Sequence, residues 1–334
     1  MAKEPDEKQR LTAMFEAEAA RREAAFREEG ERRARELSED FQARVEAGLI
    51  DSEKLQKYFD IQKPKLERFM AQRRPSDRLK DDNMRPPFAL VQKILPHMDA
   101  PFGLHGAPQA GASLPRFPGQ APLSSVSVIA PFYDAKSSSS ATHQPLHRGM
   151  ASASDALLPG YPVAFFDLAA ANWASPSQPI GTVSAQGSAS FVFRIPKEYF
   201  RPAMRQVRIS PYVEILGEAK LAGYTLLPYT CHGVAAVSMS TTVADKNRTL
   251  VSTPGPVIRH EVVSGIASLS IAKSGHVQEH EVVFFGDGID DVYIDVQFWV
   301  LCYVDVSSAA CVVDFADPSL GWCISVPRVD VADV

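Results

Sequence analysis

Between Val292 and Val306 every even position is apolar: Val292, Ile294, Val296, Phe298, Val300, Cys302, Val304 and Val306. The odd positions are Tyr293, Asp295, Gln297, Trp299, Leu301, Tyr303 and Asp305. A period of two puts one fully apolar face against a core and leaves a mixed aromatic and polar face on the other side. A shorter alternation runs over 205–215, where Val207, Ile209, Val213 and Ile215 are apolar. Pro211 in its middle predicts an edge strand or a bulge, because proline gives no donor to a ladder. Further strand-like runs cover 161–168, 188–195, 224–230, 234–243, 257–263, 266–272, 281–285, 310–315 and 321–327. Many short strands separated by turn residues, with no helical stretch between them, predict a mainly β domain over 161–334. The class is an antiparallel β-sandwich or jelly roll.

The pattern before it is different. Ala, Glu, Arg, Lys and Leu dominate the first part of the chain, and all are good helix formers. Glu18–Arg22, Glu23–Arg27, Glu28–Arg32, Glu29–Arg33 and Glu31–Arg35 are spaced i,i+4 with the acid first, the favourable order. Apolar positions are sparse. Phe15, Phe26 and Leu37 stand eleven apart, with Leu11 before them and Phe41 and Val45 after. An 11-residue spacing keeps one narrow stripe in register on a nearly straight helix. A stripe of Leu11, Phe15, Phe26, Leu37, Phe41 and Val45 needs an apolar partner. The favoured partner is another copy of the chain, as in an oligomerisation stalk; the other is the protein's own β domain. Gly48 marks a helix stop, and Asp51 or Ser52 the next N-cap. Two short helices are expected after it, at 53–61 and from Pro64 to Pro75, carrying Leu55, Tyr58, Phe59, Leu66, Phe69 and Met70.

Residues 86–160 hold eleven prolines and the Ser137–Ser140 run. They read as a Pro/Ser-rich connector with one strand near 123–133, LSSVSVIAPFY. The expected organisation is therefore 1–85 helical, 86–160 connector, 161–334 sandwich, and removing 1–85 is expected to leave a folded β domain.

Charge sharpens this division. Residues 1–85 hold 20 basic and 20 acidic residues and sum to zero, so the whole net charge of −5 falls on the remainder. A neutral helical part is not a basic nucleic-acid arm, which excludes nucleic acid as the expected partner. No apolar run is long enough to span a bilayer, and the start, MAKEPDEKQR, has no signal-peptide pattern. The expectation is cytoplasmic synthesis, with a place in a virion or an extracellular assembly. Four cysteines, Cys231, Cys302, Cys311 and Cys323, are too few and too irregular for a disulfide scaffold.

Motifs for chemistry are weak. No nucleophile elbow, phosphate loop or dinucleotide fingerprint is present, so neither a catalytic residue nor a cofactor is assigned. Cys231 and His232 are adjacent and would point to opposite faces of a strand. His276 and His280, with His260 and the pair His143 and His147, lack the convergence that a zinc site needs. Asp287, Asp290 and Asp291 are a weak calcium set, and the Asp287-Gly288 step reads more simply as a hairpin turn. The remaining candidate is the odd face of 292–306. Tyr293, Asp295, Gln297, Trp299 and Tyr303 combine stacking surface with orienting groups, which suits a protein contact or a glycan; packing under other chain is the plainer reading. The function expected from this organisation is a non-enzymatic structural or adhesive assembly protein, such as a phage-like fibre or virion subunit, forming a homo-oligomer. Alternatives are a carbohydrate-binding module or jelly-roll hydrolase, and a secreted toxin or effector.

Overall fold

The computed structural model describes residues 7–71, 127–130, 132–143, 149–172, 182–195, 206–223, 232–245, 249–251, 255–263, 265–283, 291–305, 309–317 and 320–333. Two helices come first: α1 (Glu7–Glu46) and α2 (Ser52–Ala71). Gly48, at φ +69°, ends α1. Its N–H donates to Val45 O and the Leu49 N–H to Arg44 O, the paired bonds that close a helix on a left-handed residue. Asp51 Oδ1 then accepts from the Glu53 and Lys54 N–H groups and caps α2. The expected pair of short helices is one continuous helix. Pro64 lies inside α2 rather than at a start. An interior proline costs a hydrogen bond, and burial of Leu66 and Met70 on the same helix offsets that loss.

The strands are β1 (Ser127–Ile129), β2 (Phe132–His143), β3 (Gly149–Leu157), β4 (Val163–Asn172), β5 (Val183–Ile195), β6 (Gln206–Gly223) and β7 (His232–Ala244). They continue as β8 (Thr249–Val251), β9 (Gly255–Val262), β10 (Gly265–His276), β11 (His280–Val283), β12 (Val292–Asp305), β13 (Ala309–Asp314) and β14 (Cys323–Asp333). An eight-stranded sheet runs β1-β14-β4-β13-β6-β10, with β3 on β4 and β11 on β6. A six-stranded sheet runs β2-β5-β12-β7-β8, with β9 on β7. All pairings are antiparallel, and the two inner faces form one core, so the fold is the expected sandwich. Its first described strand is β1. Residues 127–157, placed in the connector by their composition, supply three strands, and the Ser137–Ser140 run lies inside β2. Of the strand expected over 123–133, the described residues form β1 and the start of β2, while 123–126, 131 and 224–230 lie outside the described residues.

Small residues mark close approaches. Gly187 in β5 faces Phe166 across the core; a Cβ there would lie 2.4 Å from the ring. Pro211 is on neither an edge strand nor a bulge of its own. On one side of β6 it pairs with Val329. On the other it falls where the partner passes from β10, which ends opposite Tyr212, to β11, which begins opposite Ile209. The ladder is interrupted at that step, so a residue without an N–H fits.

The helices wrap the sandwich. Leu11 and Phe15 of α1 lie on the outer face of the six-stranded sheet, Leu11 with Val192, Ala244 and Tyr293. Leu66 and Met70 of α2 lie on the outer face of the eight-stranded sheet, on Ala169, Ala171, Ala222, Ala310 and Val312. Phe41 and Leu55, on either side of the α1–α2 turn, join the intersheet core, with Leu37, Val45 and Tyr58 packed beside them. The described side chains of the α1 stripe are thus covered, wholly or in part, by the protein's own β domain. Within the single chain Leu11, Phe15 and Phe41 meet the second of the two expected partners, the protein's own β domain. The Phe26 side chain lies outside the described residues. Among the described residues no helix is long and apolar enough to cross a membrane.

Candidate functional site

Cross-strand register sets the outer face of the six-stranded sheet in rows. Asp134, Val192, Asp295 and Thr242 stand abreast. The next row is Lys136, Ser190, Gln297 and Ser240, followed by Ser138, Ser188, Trp299 and Ser238. All five candidates on β12 lie on this face, as alternation requires. Their exposure differs from the expectation of an open surface. Tyr293 and Gln297 are each 5% exposed and Asp295 is fully buried. Trp299 and Tyr303 are half-buried.

The cause is α1. Its sheet-facing positions run Leu11, Phe15, Ala19 and Arg22, at helical spacing. Leu11 and Phe15 close over the rows nearest Tyr293. Arg10 Nη2 donates to Asp245 O at 2.6 Å and fixes the start of the helix on β7. Beneath this cover Asp295 accepts from Ser190 Oγ and Gln297 Nε2, each at 2.6 Å. Burial pushes its carboxyl up to about 6, against the pull of those two donors. Asp305, at the far end of β12, is also buried and accepts the His232 N–H.

Further along, the helix presents small and charged groups instead of large apolar ones. Arg22 stacks over the Trp299 ring, 3.8 Å from its centroid, a cation–π contact. Glu18 holds Arg22 at 2.8 Å and Arg21 at 2.6 Å. Lys136 reaches from β2 to Glu16 at 3.0 Å. Between Phe15 and Arg22 a cleft of about 290 Å³ opens between helix and sheet. Its floor is Ser138, Ser140, Gln186 and Ser188, with Ser138 Oγ and Ser188 Oγ 2.7 Å apart. Trp299 lines this cleft, and its Nε1–H, closed off from solvent, has no hydrogen-bond partner among the described residues.

The β2 and β5 groups of this cleft escaped the reading of the sequence. Ser188 and Ser190 alternate with apolar neighbours and signalled a polar face, but the serine run of β2 concealed the strand that completes it.

Asp287 and Asp290 lie outside the described residues, and Asp291 is ion-paired with Arg194. His276 Nδ1 faces Ser210 O and its Nε2 faces Asp330, while burial pushes the His280 imidazole down. Among the described residues no group of three potential metal ligands occurs. Cys302, Cys311 and Cys323 are buried thiols that form no disulfide among the described residues; Cys231 and His147 lie outside the described residues.

No protein-family model matches this sequence, and no curated protein does. Among solved structures, the family 11 carbohydrate-binding module from Clostridium thermocellum in complex with a β-1,3-1,4-mixed-linked tetrasaccharide is similar over 54% of this chain and 96% of that one, at 9% identity and a TM-score of 0.13. TmCBM61 in complex with β-1,4-galactotriose is similar over 51% of this chain and 85% of that one, at 10% identity and a TM-score of 0.13. Scores this low carry neither a ligand nor a site across to this protein.

Proposed function

We propose that the chain is an assembly component whose N-terminal helical arm docks on β-sandwich bodies, on its own body here and on a neighbour's body in the assembled state. One observation carries this reading. The arm meets the body through side chains that are almost wholly buried, Leu11, Phe15, Phe41, Leu66 and Met70, yet residues 72–126 separate the arm from the first strand. A connector of that length can span at most roughly 180 Å. The same helix-on-sheet interface can therefore form within one chain or between two, which is the geometry of domain exchange. The outer faces of the sandwich then serve as receptors for the arm.

Mixing two variants that each carry one added cysteine tests it. Ala19→Cys and Ser188→Cys face the same cleft from helix and sheet. After co-incubation and mild oxidation, exchange gives a disulfide-linked heterodimer on a non-reducing gel, absent when either variant is oxidised alone. If only monomers form after prolonged mixing at high concentration, the arm docks only within its own chain and the assembly reading falls.

A further inference from the structure

We infer that the cleft between α1 and the six-stranded sheet is a binding site for a neutral saccharide unit. The cleft exists because of one step in the stripe. Leu11 and Phe15 fill the helix–sheet space, but the next sheet-facing position is Ala19, and the helix stays at the height that Phe15 and the Arg22–Trp299 stack impose. The volume of about 290 Å³ is at the lower end of small-molecule sites.

The lining selects the chemistry. The floor is hydroxyl and carboxamide groups, which both donate and accept and so match a polyol better than an ion. Both cations at the mouth are already neutralised, Lys136 by Glu16 and Arg22 by Glu18, leaving no charge to attract an anion. Phe15 and Ala19 give an apolar wall for the C–H face of a sugar ring. The Trp299 ring forms part of the wall, and its N–H, closed off from solvent, has no acceptor among the described residues. The site is the same whether the roof helix comes from its own chain or a neighbour's, so it stands apart from the assembly reading.

The test uses the full chain labelled with ¹⁵N. Trp299→Phe identifies the Trp299 indole N–H resonance among the three tryptophans. Glucose, galactose, mannose and N-acetylglucosamine are titrated singly to about 50 mM, enough to saturate a millimolar site. At least one is expected to move that resonance along a saturable curve, because Trp299 lines the cleft, while glucuronate and glycerol do not. Ala19→Leu, which fills the roof, abolishes the shift. Gln186→Ala, which leaves the roof intact, weakens binding about fivefold, the effect of one hydrogen bond. If none of the four sugars moves the resonance, if glucuronate moves it alone, or if Ala19→Leu binds as well as the native chain, the inference is overturned.

Discussion

Asp295 has no exposed surface, yet it sits on the face of β12 that the alternation assigns to solvent. Two donors, Ser190 and Gln297, hold it under α1. Burial outweighs them and raises the carboxyl from its ordinary 3.8 to about 6. A carboxyl raised on folding favours the protonated native state. Its contribution to stability is complete below about pH 3.8 and is lost as pH rises through about 6, because the native state binds more protons than the unfolded one in that window. A difference of that size corresponds to roughly 3 kcal/mol. Asp295→Asn, with the Gln297 amide turned to present its oxygen, keeps the packing and removes the titration. The gap in stability between the native chain and the variant is therefore expected to narrow, and then favour the native chain, as pH falls from 7 to 4. Denaturant melts of both at each pH check this. A gap that stays constant would mean that the carboxyl is hydrated and that α1 does not seal the face.

At the scale of elements, α1 is a strut of roughly 60 Å held near both ends, and the described side chains of its middle turns are exposed. Its first turns lie on the six-stranded sheet and its last turns on the core, while Ala24, Ala25, Glu28 and Glu29 between them are exposed. Arg32 bridges Glu29 and Glu36 there, and pairs of this kind add only about 0.2–0.5 kcal/mol each. Ala25→Gly touches no other element, so it is expected to lower global stability by about 1 kcal/mol, the helix-propensity difference, only if both anchors are part of one cooperative fold. An unchanged denaturation midpoint would show that the first turns of α1 detach separately. What the sequence made legible follows from strength of pattern. β12 was readable to within a residue because fifteen positions alternate without exception. The Gly48 stop and the Asp51 cap were readable because each rests on a single local requirement. β2 and β3 were not, since serine and alanine carry no contrast between faces. The partner of the α1 stripe was not either: Leu11 and Phe15 demand an apolar surface, but the demand is equally met by Val192 and Tyr293 or by a second helix. The buried state of Asp295 and Gln297 follows from that same unread contact.

For the whole molecule, packing of the arm on both sheets leads to an expectation opposite to the one that composition suggests. An antiparallel sheet with one face in water normally places polar residues outside. Here the outer face of the eight-stranded sheet carries Ala169, Ala171, Ala222, Ala310 and Val312, and the other sheet carries Val192, Ala244 and Tyr293. Without residues 1–71 these patches meet water, and the core loses Phe41 and Leu55 at one end. Each large buried side chain removed costs on the order of 2–5 kcal/mol, and five such residues, Leu11, Phe15, Phe41, Leu66 and Met70, leave together. That sum exceeds the margin of an ordinary domain. A chain of residues 72–334 is therefore expected to aggregate or to bind a hydrophobic dye strongly, contrary to what the charge division implies. Adding a peptide of residues 1–71 in trans supplies the same cover and should restore a soluble, cooperatively melting 1:1 complex, measured by light scattering and thermal unfolding. If the truncated chain is a soluble monomer that melts as the full chain does, the helices are passengers on an independently stable sandwich. If it is unstable and the peptide rescues it, arm and body are two halves of one fold joined by a removable interface, the property that exchange between copies requires.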